Sequence, residues 1–151
     1  MPQTLISEDT VLTIRRKFPV PVHRLYEAWT NIESLRKWHA PGDYQVAEAQ
    51  ADVRVGGRYR ITMKPPDKEI SHTVVGEYQE VIPLQRLVHT WRWEEGGDGG
   101  ARDTLVTLEF KDLGEESELI LTHQGFAGGE VRDHHGKGWN GCLDNLEKSL
   151  A

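Results

Sequence analysis

Leu119-Ile120-Leu121-Thr122-His123-Gln124-Gly125-Phe126, with the helical stretch beyond it that carries Gly138-Trp139, decides how this chain folds. Leu119, Leu121 and His123 share one parity, so on a strand they share one face and point inward together. Residues 125–129 break the strand. Glu130 to Leu150 then sets Trp139, Leu143, Leu146 and Leu150 on one apolar stripe at helical spacing. Upstream, Arg86-Leu87-Val88-His89-Thr90-Trp91-Arg92-Trp93 alternates bulky rings with polar residues. Rings and imidazoles on one sheet face, with an amphipathic helix to cover them, predict a sandwich that closes around a cavity.

Working outward, Thr10 to Phe18 alternates as a first strand, stopped by Pro19 and Pro21. Pro21 suits a first helical turn, where its missing N–H costs nothing. Val22, Leu25, Tyr26 and Trp29 follow at helical spacing. Asn31 caps a second short helix, Ile32 to Trp38, with Glu33 in its first turn, and His39-Ala40-Pro41-Gly42 ends it. Strands are expected over Tyr44–Ala51, Val53–Met63, His72–Val81, Gln85–Glu94, Asp103–Lys111 and Glu118–Gln124. Gly56-Gly57 inside the second of these predicts a bulge or a close backbone approach. Pro65-Pro66-Asp67 and Leu113-Gly114-Glu115 read as turns, and Glu95 to Gly100 as a solvated, flexible loop. Gly136, Gly138 and Gly141 weaken the long helix, so they mark a bend or a close approach to the sheet. The order predicts an α+β fold: two short helices after the first strand, then an antiparallel sheet of about six to seven strands wrapped around a long C-terminal helix. Residues 1–151 read as a single domain.

The net charge of −6 is spread along the chain with no basic block, which argues against nucleic acid as a partner. No apolar run approaches the length of a membrane helix, and no secretory signal precedes residue 9. Cys142 is the lone cysteine, so no internal disulfide forms and a cytoplasmic home is expected.

An ordered set of motifs carries a resemblance. It runs from Phe18-Pro19-Val20-Pro21 and Tyr26-Glu27-Ala28-Trp29-Thr30 through Trp38-His39-Ala40-Pro41, residues 52–59 (Asp52 to Tyr59) and Gly76-Glu77-Tyr78. It continues through Arg86-Leu87-Val88, Thr90-Trp91 and residues 121–126 to Gly138-Trp139. In these the chain resembles the helix-grip (START-like, SRPBCC) superfamily, and within it the homologues of the C-terminal domain of the heat-shock-protein ATPase activator. The resemblance covers nearly the whole chain and implies a helix-grip fold, commonly with an internal cavity. The superfamily holds carriers, receptors, cyclases and hydrolases, so the fold alone does not set the function. Eukaryotic activators of this type bind the chaperone largely through a separate N-terminal domain. Only residues 1–9 precede the first strand here, so a co-chaperone role is not expected. His89 stands where such relatives usually carry an apolar or aromatic residue, and it brings a polar group toward the interior.

Tyr59, Ile61, His89, Trp91, Trp93, Val106, Leu108, His123, Phe126, Trp139 and Leu143 are the expected ligand-binding residues, and the partner is a small apolar or aromatic molecule. The structural alternative is a solid core, since large rings dominate cores. Trp29 and Trp38 are assigned to structural packing. Among the histidines, His123 and His89 face inward, either as hydrogen-bonded core residues or as ligand anchors. His134 and His135 are adjacent and point about 100° apart on a helix, so they do not share an ion. No zinc-type spacing, P-loop, dinucleotide fingerprint or nucleophile elbow is present, so no metal, no cofactor and no catalytic residue is assigned. Cys142, inside the helix, is a small half-buried residue and not an activated thiol. Arg58, Arg60, Arg86 and Arg92 form a solvated outer face. Two further readings stay open: a hydrolase- or cyclase-like enzyme using His123 as acid and base, and a module that binds a chaperone or regulator. A homodimer also stays open.

Overall fold

The computed structural model describes residues 10–67, 69–94 and 103–150. In chain order the elements are β1 (Val11–Phe18), α1 (Val22–Thr30), α2 (Ile32–Trp38), β2 (Gln45–Ala51), β3 (Arg58–Lys64), β4 (His72–Ile82), β5 (Arg86–Trp93), β6 (Thr104–Leu113), β7 (Glu116–Gln124) and α3 (Gly129–Leu150). The seven strands form one sheet in the order β1-β7-β6-β5-β4-β3-β2, every neighbouring pair antiparallel. The chain brings β1 back beside β7, so its first and last strands pair, with Leu12 opposite His123. This is the expected α+β helix-grip architecture. The expected loop from Glu95 to Gly100 lies outside the described residues.

Alternation drives the sheet. Val106, Leu108 and Phe110 on β6, with Leu119, Leu121 and His123 on β7, are buried on one face. The arginines of the other face meet carboxylates: Arg60 with Glu94 and Glu48, Arg86 with Glu80 and Glu109, and Arg92 with Asp103. Register shifts at Val46/Glu48 on β2 and Tyr78/Glu80 on β4 bend the sheet, which lets it curl toward the helices. The stripe Trp139, Leu143, Leu146 and Leu150 buries one side of α3. Arg16 on β1 ties the opposite side through Asp144 at 2.8 Å and Asn140 at 3.3 Å.

Two boundaries differ from the sequence reading. Pro21 sits one residue before the first helical turn, as the N-cap of α1, while the Asn31 side chain caps α2 by accepting from Ser34 N–H. The strand expected from Val53 starts only at Arg58. Val53 to Gly57 is a turn: Gly57 N–H donates to Arg54 C=O, Gly56 has φ +85°, and Val55 is 65% exposed. The Val53–Val55 alternation mimics a strand, but only Val53 packs against the core, half-buried, while Val55 stands in solvent. The close approach expected at these glycines is real and belongs to that turn, since a Cβ on Gly57 would fall onto the Asp52 carbonyl.

Candidate functional site

A cavity of about 650 Å³ opens between the first half of α3, the α2–β2 loop and the ends of β3, β4 and β5. Each wall has a local origin. β5 presents Trp91 and Trp93 from alternate positions, so both face the same side as His89. The loop after α2 adds His39, Pro41 and Tyr44, and β3 and β4 add Met63 and His72. α3 supplies His135, Gly138, Trp139 and Cys142, with His134 and Lys137 exposed at the mouth. The loop wall is stapled to the helix. Asn145 donates through Nδ2 to the carbonyls of Ala40 (2.7 Å) and Gly42 (2.9 Å), and Gly141 lets the helix backbone lie against Pro41 and Gly42.

The rings contact one another closely. Trp91 stands 4.9 Å from Trp139, 5.7 Å from Trp93 and 6.0 Å from His39, centroid to centroid. Offset and edge-on contacts of this kind suit aromatic quadrupoles. Trp29 and Trp38 pack edge-on at 4.5 Å outside the cavity wall, and Trp38 Nε1 donates to the Ala28 carbonyl.

Hydrogen bonding determines what the histidines can do. Trp139 Nε1–H has only a proton to offer, so His123 Nδ1, 3.0 Å away, accepts. His123 therefore carries its proton on Nε2 and donates to Thr104 Oγ1 at 2.6 Å, and that hydroxyl donates onward to the Trp91 carbonyl at 2.9 Å. His135 repeats the pattern with the other tautomer. Its Nε2 accepts from Trp93 Nε1 at 3.0 Å, and its Nδ1–H donates to the Val131 carbonyl at 2.9 Å. Both rings are consumed in joining α3 to the sheet. Burial pushes the His123 imidazolium well below the ordinary histidine range, with His135 and His89 adding repulsion, and burial pushes His89 and His39 to about 4. Burial lifts the Cys142 thiol to about 12, so it is not a ready nucleophile. Among the described residues no three His, Cys, Asp or Glu side chains gather as a metal site.

Of the residues expected to contact ligand, Trp91, Trp93 and Trp139 line the cavity. Tyr59, Ile61, His89, Val106, Leu108, His123, Phe126 and Leu143 lie behind that wall, all buried. Tyr59 donates through its hydroxyl to the Thr90 carbonyl at 2.7 Å, and Phe126 packs on His123 at 4.4 Å. Parity identified the inward face correctly but not where the packing is loose. His39, Tyr44, Met63, His72 and His135 line the cavity without having been assigned to it. Trp38-His39-Ala40-Pro41 stood out as a motif, and the stop after α2 was its one usable signal. Cys142 is buried, where half-burial was expected.

Comparison with known proteins adds a family. The family described as "Activator of Hsp90 ATPase homolog 1-like protein" matches residues 19–151. The human activator of 90 kDa heat shock protein ATPase homolog 1 is 26% identical over 129 residues, covering 85% of this chain. The chain spans about a third (33%) of that relative's length. Among solved structures, a Silicibacter pomeroyi protein that carries the family name AHSA1 is 25% identical with a TM-score of 0.80, covering 93% of this chain and 96% of its own. A Chromobacterium violaceum protein is 24% identical with a TM-score of 0.81, covering 92% and 96%. The latter likeness is one of fold.

Proposed function

This chain belongs to the family of Activator of Hsp90 ATPase homolog 1-like proteins, and we propose that within it residues 1–151 act as one cytoplasmic domain that binds a small apolar or aromatic molecule and has no defined catalysis. One observation carries the reading: a cavity of about 650 Å³, within the usual size of small-molecule sites, walled by Trp91, Trp93, Trp139 and Tyr44. Apolar burial, about 25 cal/mol per Å², drives binding there. The enzyme reading loses its acid–base group, because both nitrogens of His123 are engaged and the side chain is fully enclosed. No helix among the described residues is long and apolar enough to cross a membrane.

Mass spectrometry of small molecules released from the purified protein tests the proposal, together with naphthalene titration read by tryptophan quenching. The expected result is an apolar or aromatic compound carried through purification, or saturable quenching. The absence of both would refute the reading. A second reading follows from the human relative's name: this chain would bind a heat-shock ATPase. Val55, Ile70 and Leu84 are exposed apolar side chains at separate points of the surface, each to be altered singly in a pull-down.

A further inference from the structure

Two indole-to-imidazole hydrogen bonds tie α3 to the sheet, and a glycine-rich stretch of the helix lies between them. Trp93 Nε1–H of β5 donates to His135 Nε2, and Trp139 Nε1–H donates to His123 Nδ1 of β7, each at 3.0 Å. From His135 to Trp139 the chain reads Gly136-Lys137-Gly138. A glycine weakens a helix interior about four- to fivefold relative to alanine, so α3 is weakest between its two ties. A Cβ on Gly138 would meet nothing within 4 Å, so no neighbour demands glycine there.

The two ties are unequal. At the inner one, Trp139 and His123 are 3% and 0% exposed, and Thr104 backs His123 with a hydroxyl that bonds on to the Trp91 carbonyl. The outer one joins His135 to a half-buried Trp93, and both side chains line the cavity. Water competes for such a bond, which leaves it a net worth of about two- to twelvefold in an equilibrium constant. His135 is also the first buried residue of α3, and Gly129 to His134 are half-buried or exposed. A segment that buries so little opens at low cost. His135 Nδ1–H donates to the Val131 carbonyl one turn back, so the ring that meets Trp93 is fixed to the turn it holds down. At the other end the chain enters α3 through Gly125, Gly128 and Gly129. Residues 129–135 thus have glycines at both ends and a tie to the sheet at His135, and His134 and His135 form part of the cavity wall.

We propose that residues 129–135 are a flap on the cavity, latched to β5 by the Trp93–His135 hydrogen bond and hinged at Gly136 and Gly138. Ligand enters and leaves when this latch opens, while the Trp139–His123 bond keeps the rest of α3 on the sheet. The gating role rests on the ligand-binding reading above; the opening itself does not.

The test uses the full chain, Trp93→Phe, which keeps a ring and removes the N–H, and Gly138→Ala, which stiffens the hinge. Amide exchange without ligand reads the opening, and stopped-flow tryptophan quenching by naphthalene reads the gate. Trp93→Phe is expected to raise exchange in residues 129–135 about fivefold or more and leave residues 139–150 within about twofold. It should speed both association and dissociation of naphthalene, whereas a lost ring contact would speed dissociation alone. Gly138→Ala should slow flap exchange and both rates about four- to fivefold. If Trp93→Phe fails to fold by thermal melt, Gly138→Ala decides. Unchanged flap exchange, or an equal rise along the whole helix, overturns the latch. Faster flap exchange with an unchanged association rate overturns the gate. Absence of naphthalene quenching and of any bound compound overturns the ligand-binding reading and the gate with it, and exchange alone then decides the latch.

Discussion

Acidification from pH 7 to pH 5 is expected to destabilise this protein through its buried histidines. The unfolded imidazole takes up a proton near pH 6.5. In the folded chain burial holds His39 and His89 neutral down to about 4. The unfolded state therefore binds more protons across this window, and stability falls as pH falls. Near pH 5.5 these two groups account for a difference of about two protons, a slope of about 2.5 kcal/mol per pH unit. Between pH 7 and pH 5 they remove about 4 kcal/mol, a large share of a typical 5–15 kcal/mol. His123, lowered for the same reason, adds to the loss. The window lies above the ordinary carboxylate range, and Glu94, held low by Arg60, titrates beneath it. Urea melts at half-unit steps from pH 7.5 to 5 measure the slope directly. His89→Gln removes one proton's worth, about 1.4 kcal/mol per pH unit. Stability that stays flat from pH 7 to pH 5 would refute the reasoning, as would an unchanged slope in His89→Gln.

Other outcomes follow from single contacts. Thr104→Val leaves the His123 Nε2–H without its acceptor; a loss of about 1–3 kcal/mol is expected, read as a lower urea midpoint at unchanged m. Naphthalene affinity should hold in that variant, because His123 and Thr104 stand behind the cavity wall; a selective loss of binding with normal stability would make them part of the site. Gly76→Ala drives a Cβ onto the Thr90 carbonyl and the Tyr59 ring, so a loss of about 3 kcal/mol or more is expected by equilibrium melts. Gly138→Ala meets nothing within 4 Å and should raise stability by about 0.5–1 kcal/mol through helix propensity. In amide exchange, residues 130–138 at the cavity mouth should exchange faster than residues 139–146, where Trp139, Leu143 and Leu146 are buried, and should slow when naphthalene is bound.

The order of elements and their inward faces were legible in the residues themselves. Alternation on β5, β6 and β7 and the Trp139–Leu150 stripe are local periodicities, and side-chain direction follows backbone period whatever packs on top. Asn31 announced the start of α2 in the same way. Alternation misled at Val53–Val55, where Gly56 and Gly57 turn the chain before any strand begins. What lay beyond the sequence was which inward residues would touch and which would leave space. His123 and His89 share parity with Trp91, yet His123 is sealed between Thr104 and Trp139 while Trp91 borders the cavity. Period cannot distinguish them, because the gap arises where the α2–β2 loop, the end of the sheet and α3 meet. Those segments are distant in the chain, and Asn145 and Gly141 set their separation. The same distance hid His39, which follows α2 yet lines the cavity beside Trp91 of β5.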